Sequence, residues 1–321
     1  MQKKRWAIRA ALFAMLTLLV FAGLSHVMER KTLTGPWAYS AKVNAYFNMP
    51  ANTIDVVGFG SSHMFCSISP ALMQSQAGIS AYVLATQRQP VKASYFYMLE
   101  ALKRQKPKVF LFETYMVNTS QNQDIEDGII ADATEPLPFS WTKLRMIHAM
   151  TEGKKSKLPY YLTLFKYHER WKDLEDGDFA YQRKAMQDPL RGYIYFSEMT
   201  PAEAIHYDEP PVIQNFDAED LYYLEKMIEL AKREGIHLLL LYAPFPMDRD
   251  SYNHCFTMAN FAKEHNLPFI NGYELLQEGR FDYQTDFYDD DHLNANGAGK
   301  LTLYVAQFLK EHGLLDGRRG D

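Results

Sequence analysis

The sequence predicts an α/β protein with three layers, in which a parallel central sheet is covered by helices on both faces. The prediction rests on short, continuous apolar runs that alternate with segments of helical pattern and length. The predicted strands are 54–59, 109–112, 237–242 and 268–270, and the predicted helices are 91–104, 218–233, 251–265 and 296–311. Uninterrupted hydrophobicity is typical of strands that are buried on both faces, as in parallel sheets.

Length, net charge and cysteine content limit the classes of protein to which the chain can belong. The chain has 321 residues, which is enough for one sizeable core with a large insertion. A net charge of -5 and the lack of a dense Lys/Arg stripe exclude a nucleic-acid partner. The two cysteines, Cys66 and Cys255, either form a disulfide or are two small buried residues. No cysteine or histidine cluster indicates a metal, and no cofactor is predicted.

The first 28 residues read as a basic start followed by a transmembrane anchor. Lys3, Lys4, Arg5 and Arg9 accompany an apolar run that ends at Leu24. Counted from residue 6, the segment has about 19 residues at roughly 1.5 Å each, which is close to the thickness of the hydrocarbon core of a bilayer. A secretory signal peptide is the alternative, but the run has no small-residue cleavage site. The basic residues predict a cytoplasmic N-terminus, with the remainder on the extracellular face of the cell membrane.

The rest of the chain divides into a predicted stalk and one domain. The stalk is 29–52, which contains Gly35-Pro36, and the domain is 53–321. An insertion at about 120–214 interrupts the strand and helix rhythm, because it is rich in Tyr, Trp, Lys and Asp and has no clear buried strand. Its aromatic residues form either a cap over the site or a small satellite core.

A candidate nucleophile follows the first predicted strand, in Gly60-Ser61-Ser62-His63. Sites in open α/β sheets lie at the carboxyl ends of the strands, so this turn presents a serine to the crevice. Gly60 allows a sharp turn, and the N–H groups of such a turn can face an oxyanion. Without further support, Gly-Ser-Ser is also a common loop sequence.

A candidate general base lies near the other end of the chain, in the segment Asp289-Asp290-Asp291-His292 that precedes the last predicted helix. A carboxylate bonded to one ring nitrogen of a histidine fixes the tautomer that can accept a proton from serine. The alternatives are a solvated acidic loop and a Ca²⁺ site, although the latter lacks the spacing of an EF-hand.

Together these two segments resemble the SGNH/GDSL hydrolases. Phe59-Gly60-Ser61-Ser62 is similar to the first block of the family, Phe-Gly-Asp-Ser, and Asp289 to His292 match its last block, Asp-x-x-His. The resemblance implies an SGNH-like fold in which Ser62 is the nucleophile, His292 the base and Asp289 the orienting acid. Both blocks occur at the expected ends of the domain, and their pairing is far more specific than either alone.

Departures from the family pattern indicate a particular branch. Ser61 replaces the aspartate of the first block, and the block that supplies an oxyanion asparagine is missing near 113–115. The chain resembles membrane-anchored acyltransferases similar to the D-alanyl transfer proteins of the lipoteichoic acid pathway, which work with a polytopic membrane-bound O-acyltransferase. Residues 85–90 take the place of another oxyanion block, so Gly60, Thr86 and Gln89 are the candidate oxyanion or substrate residues, with the Ser62 N–H favoured over Thr86 and Gln89.

The resemblance therefore implies an extracytoplasmic O-acyltransferase. It would move an acyl group of the acetyl or D-alanyl type to a cell-surface glycan or teichoic-type polymer. Two alternatives remain open at this point. One is an SGNH esterase or carbohydrate deacetylase, which uses the same triad with water as the acceptor. The other is a non-catalytic scaffold of an envelope acylation complex.

Overall fold

A computed structural model describes residues 2–119 and 124–316, and it contains one five-stranded sheet. The strands are β1 Val56–Gly60, β2 Ala81–Ala85, β3 Val109–Glu113, β4 His237–Tyr242 and β5 Phe269–Asn271. All four pairings are parallel, and the order across the sheet is β2-β1-β3-β4-β5. The predicted α/β architecture with a parallel sheet is confirmed.

Helices account for most of the remaining regular structure. They are α1 Gln2–Met28, α2 Tyr39–Asn48, α3 Ser62–Phe65, α4 Pro70–Ala77, α5 Val91–Ala101, α6 Asp127–Thr134, α7 Trp141–Met150, α8 Leu158–Tyr161, α9 Leu164–Tyr167, α10 Asp176–Ala180, α11 Ala218–Glu234, α12 Arg249–Glu264, α13 Gly272–Gln277 and α14 Ala295–Glu311. Short 3₁₀ helices occupy His168–Lys172 and Arg183–Ala185.

The helices form two layers around the sheet. Right-handed crossovers place α4 on one face, because the chain moves from β1 to β2 in one direction, and place α5, α11 and α12 on the other face. The observed contacts agree, since α5 packs on α11 while α4 packs on α14. The strands are almost wholly buried between these layers, which explains their continuous apolar runs.

Part of the predicted stalk is a helix of the domain. Helix α2 buries Tyr39, Val43 and Tyr46, and the ring of Tyr46 packs against Tyr82 of β2 at 5.1 Å between centroids. These three apolar residues have the spacing of one helix face, which is the signal that reading 29–52 as a stalk overlooked. Residues 39–48 therefore belong to the core and cannot act as a free spacer.

The predicted insertion has no core of its own. Its first residues, 120–123, lie outside the described part of the chain, as do Met1 of the predicted anchor and 317–321 of the predicted domain. From 124 to 214 it forms α6 to α10 and the two 3₁₀ helices, with no strand. Ile130, Leu137 and Met146 join the main hydrophobic core, so the satellite-core alternative does not describe it.

Residues 191–194 of the insertion contact β2 of the sheet and helix α3, which follows β1. The N–H of Val83 in β2 donates to the carbonyl of Arg191 at 2.9 Å, and the N–H of Ile194 donates to Phe65 at 2.8 Å. At Gly192 a Cβ would lie 1.9 Å from the carbonyl oxygen of Val83, so a glycine is required there. Residues 191–194 thus cover the edge of β2 and hold the insertion beside α3.

Helix α1 differs from the other helices because its side chains are exposed along most of its length. The segment Lys3–Met28 is long and apolar enough to cross a membrane, a property shared by membrane spans and by secretory signal sequences. An apolar helix of this length with its surface uncovered needs a non-aqueous partner.

Candidate active site

Ser62 lies at the carboxyl end of β1, at the point where the strand order changes direction. The connection from β1 to β2 crosses one face of the sheet, whereas the connection from β2 to β3 crosses the other face. A crevice therefore opens between β1 and β3. Gly60 has a φ of +143°, and a Cβ there would lie 2.9 Å from the Cβ of Glu113 in β3. Glycine is thus required for the turn that presents Ser62 as the first residue of α3.

Ser62, His292 and Asp289 are brought together by the fold, although about 230 residues separate the serine from the histidine. The Nε2 atom of His292 lies 2.8 Å from the Oγ of Ser62. The Nδ1 atom lies 2.9 Å and 3.0 Å from the two carboxylate oxygens of Asp289. An Nδ1–H that donates to Asp289 leaves the lone pair of Nε2 free to accept the proton of the Ser62 hydroxyl.

The loop that carries His292 is held closed by its own backbone and by Asn294. A bridge pairs Phe287 with Leu293, and the Tyr288 N–H donates to the carbonyl of His292 at 2.9 Å. The side chain of Asn294 accepts from the first turn of α14 and donates to the carbonyl of Thr285 at 2.8 Å. The helix cap therefore also fixes the loop, which gives His292 a defined position.

Two further ionisable side chains, Asp291 and His63, adjoin the His292 ring. Asp291 places one oxygen 2.8 Å from Nδ1 of His292 and the other 3.8 Å from Nε2 of His63. Both carboxylates approach Nδ1 of His292, Asp289 with the geometry of a hydrogen bond and Asp291 at a similar distance. His63 is buried and stacks on Tyr115 with ring centroids 3.7 Å apart.

These surroundings shift the protonation of both histidines in opposite directions. Burial disfavours the charged form of His292, but hydrogen bonds and charges from Asp289 and Asp291 outweigh it and raise the pKa to about 9. Burial lowers the pKa of His63 to about 4, so this ring is neutral. The close approach of Asp291 to His292, and then to His63, holds the pKa of Asp291 well below its usual range.

The pKa of His292 predicts a pH profile. A general base must be neutral, and at pH 7 a group with a pKa near 9 is only roughly 1% neutral. We therefore expect kcat/KM toward a nitrophenyl ester to rise roughly tenfold per pH unit between pH 6 and 8 and to level off above about 9. Rates measured with Ser62→Ala supply the background of spontaneous hydrolysis. A profile that is flat across this range would contradict the raised pKa of His292, and a profile that falls would contradict its assignment as base.

Glu113 contacts the turn that carries the nucleophile. It is fully buried at the end of β3, with one carboxyl oxygen 3.3 Å from the Oγ of Ser61 and the other accepting from the Tyr115 N–H at 2.9 Å. Burial raises the pKa of Glu113 to about 8, which keeps it protonated at neutral pH. Ser61 in turn accepts from the His63 N–H and caps α3. Ser61 therefore ties the turn to β3.

Two of the predicted oxyanion residues, Thr86 and Gln89, have other hydrogen-bond partners. Thr86 and Gln89 are buried, but Thr86 donates to the Gln89 side chain at 3.1 Å, and Gln89 donates to Ser94 at 2.9 Å. Gly60 shapes the turn through its backbone. The N–H of Ser62, at the first position of α3, has no acceptor within that helix and is therefore the better placed donor.

The side chains around His292 include a set of the kind that binds metal ions. His63, Asp291 and His292 offer donor atoms that lie within 4.8 Å of one another. The same atoms already form the contacts between His292, Asp291 and His63 described above.

Sequence reasoning missed His63 and Glu113 and did not distinguish Asp291 from the other acidic residues beside His292. Each had a local signal. Glu113 is a carboxylate that directly continues the apolar run of a buried strand, and buried carboxylates of this kind mark functional positions. His63 follows the nucleophile, and Asp291 stands between the two predicted triad members. The two cysteines are buried and unpaired, which resolves the alternatives for Cys66 and Cys255.

Comparison with known proteins gives structural similarity but no sequence match. No protein-family model matches the chain, and no curated protein gives a significant match. The fold is similar to a G-D-S-L family protein from Desulfitobacterium hafniense, with 11% identity, a TM-score of 0.40 and coverage of 79% of this chain and 99% of that one. It is also similar to the acetylxylan esterase Axe2 from Geobacillus stearothermophilus, with 11% identity, a TM-score of 0.35 and coverage of 84% and 97%.

A third similar structure is a two-domain esterase active on acetylated mannans. It has 11% identity and a TM-score of 0.32, and the match covers 92% of this chain and 56% of that one.

Proposed function

We propose that the protein is an SGNH-type serine enzyme that transfers acyl groups, with Ser62, His292 and Asp289 as its triad. The observation that carries the proposal is the continuous chain of contacts from Ser62 Oγ to His292 Nε2 and from His292 Nδ1 to Asp289. The serine stands on a sharp turn at the switch point of the sheet, where an acyl carbonyl can approach it.

The geometry supports a two-step reaction through an acyl-enzyme. His292 takes the proton of Ser62 as Oγ attacks the acyl carbonyl, and the N–H of Ser62 stabilises the oxyanion. Collapse of the tetrahedral intermediate breaks the bond to the leaving alcohol or thiol, which receives the proton from His292. In the second step His292 deprotonates an acceptor hydroxyl, which attacks the acyl group and releases Ser62.

The location that we propose is the extracellular face of the cell membrane, with α1 as an uncleaved anchor and the N-terminus in the cytoplasm. The domain uses residues at the end of α1 for its own packing. Arg170 donates to the carbonyls of Met28 and Glu29 at 2.8 Å each, and the ring of His26 stacks on Tyr181. Cleavage near residue 25 would remove most of α1 and leave these contacts to a few residues at a new N-terminus, which favours an anchor over a signal peptide.

The acceptor that we propose is a hydroxyl of a cell-surface glycan or teichoic-type polymer. Aromatic side chains beside the triad support a polyhydroxylated acceptor, because exposed rings pack well on sugar faces. Phe196 stacks on Tyr288, the neighbour of Asp289, at 4.1 Å between centroids, and Tyr195 is exposed beside it. The acyl donor would come from a membrane-bound O-acyltransferase, a partner that a membrane-anchored enzyme can meet in the bilayer.

The transfer reaction can be tested on the full-length protein in lipid nanodiscs. The protein is given an acetyl nitrophenyl ester with and without a soluble glycan, and acetylated glycan and free acetate are both quantified. We expect acetylated glycan to exceed free acetate, with both lost in Ser62→Ala. Rapid release of acetate with no acetylated glycan would instead identify an esterase. The absence of both products in a folded protein would favour a scaffold.

A further inference from the structure

Three short elements of the insertion contact α1, and each has a large aromatic side chain that is exposed. Helix α9, the 3₁₀ helix His168–Lys172 and α10 all contact α1. Phe165 on the first is 52% exposed, Trp171 on the second 62%, and Phe179 on the third 64%. Large aromatic side chains are costly to expose to water, so their placement around one helix requires an explanation.

The depth of α9 along α1 supplies that explanation. The ring of Phe165 lies 6.3 Å from the ring of Phe21, centroid to centroid. Phe21 precedes Leu24, the end of the apolar run, by three residues, which is about 4.5 Å along a helix axis. If α1 spans the bilayer, Phe165 is therefore level with the outermost part of the apolar segment and not with the aqueous phase above it.

Polar contacts fix the direction in which α1 leaves the domain. Arg170, which holds the last carbonyls of α1, also donates to both carboxylate oxygens of Asp178 at 3.0 Å each. Lys31 approaches the same carboxylate at 3.4 Å, and His26 places Nε2 3.3 Å from the carbonyl oxygen of Tyr181. These contacts join residues 170, 178 and 181 of the insertion to the end of α1, so they hold the elements that carry the three aromatic side chains beside that end of the helix.

We propose that Phe165, Trp171 and Phe179 form a lipid-docking surface that rests in the outer interface of the bilayer around α1. The inference rests on the proposed function in one respect, namely that α1 is a membrane anchor. Aromatic side chains, above all Trp, favour the level of the lipid headgroups. Lys172 lies over the ring of Trp171 at 5.6 Å and is able to reach lipid phosphates from there. The domain is then held against the membrane in one orientation and does not rotate freely about a flexible linker.

The four tryptophans of the chain allow a direct test in the full-length protein. Trp6→Phe, Trp37→Phe and Trp141→Phe together leave Trp171 as the single emitter, and a second protein keeps only Trp6. An aqueous control has all four tryptophans replaced by Phe and carries Tyr222→Trp on α11, whose position 222 is exposed. Each protein is placed in nanodiscs of plain or dibrominated phosphatidylcholine, and its emission is also titrated with iodide.

We expect brominated lipid to reduce the emission of Trp171 to roughly half or less and expect iodide to have little effect, as for an indole at the headgroup level. Trp6, within the anchor, should also be quenched by bromine, and the emitter at position 222 should be quenched by iodide alone. If Trp6 is quenched by bromine but Trp171 behaves like position 222, the docking surface is wrong and the anchor stands. If bromine quenches neither, the anchor itself is wrong and the docking surface falls with it.

A second comparison tests the surface without relying on Trp171 alone. In the protein with the single Trp171, Phe165→Ser and Phe179→Ser together should weaken bromine quenching and increase quenching by iodide. The matched control is Leu303→Ser, which replaces an exposed apolar side chain on α14. The control should leave both values unchanged. Equal quenching in the double variant and in its parent would overturn the role of the two phenylalanines.

Discussion

Ser62→Ala is expected to lower the rate of acyl transfer by roughly 10³-fold or more, because it removes the atom that forms the covalent intermediate. The side chain is small and lies at the surface of the crevice, so the loss should occur without unfolding. The measurement is kcat/KM with the nitrophenyl ester, together with a thermal unfolding curve of each protein.

The adjacent serine provides a matched control. Ser61→Ala removes a buried cap of α3 and the contact with Glu113, but it leaves the hydroxyl of Ser62 in place. We expect roughly a tenfold decrease, with a loss of stability of about 1 kcal/mol. Similar activities of Ser62→Ala and the wild-type protein would mean that another group is the nucleophile.

The second large effect is that of Asp289→Asn, which distinguishes the roles of the two carboxylates that approach His292. Asp289→Asn is expected to lower kcat/KM by roughly 10²- to 10⁴-fold. An amide donor at this position favours the wrong tautomer of the imidazole, and Nε2 then carries a proton when it should accept one. The rate should be measured at the pH optimum of each protein, so that a change of pKa is not mistaken for a change of mechanism.

Asp291→Asn is the matched control for this prediction. It removes a charge 2.8 Å from Nδ1 but leaves the hydrogen bonds of Asp289 intact. We expect the pKa of His292 to fall, so that the rise in activity moves to lower pH with little loss at the plateau. A severe loss in Asp291→Asn and a mild one in Asp289→Asn would reverse the assignment of the orienting acid.

The sequence was sufficient to predict the sheet and the approach of the two motifs. Strands β1, β3 and β4 are continuous apolar runs, and that pattern survives in a single sequence because both faces of a parallel sheet are covered. The contact between Ser62 and His292 was predictable because both motifs stand beside elements whose place in such a sheet follows from general rules of topology.

The features that were missed depend on contacts between distant parts of the chain. Helix α2 looks like a linker because Gly35-Pro36 precedes it, and only its packing on β2 shows that Tyr46 belongs to the core. The protonation of Glu113 depends on burial beneath Ser61, which no local pattern reports. Thr86 and Gln89 were predicted from their place after β2, yet a side-chain direction is decided by neighbours such as Ser94.

The central claim is that Ser62 is a nucleophile activated by His292, and covalent labelling tests it most directly. The full-length protein is treated with a fluorophosphonate, and the modified residue is identified by mass spectrometry of its peptides. We expect one adduct, on Ser62, which is lost in Ser62→Ala and strongly reduced in His292→Gln. A folded protein that acquires no adduct, or that acquires it on Ser61, would mean that Ser62 is not the activated nucleophile.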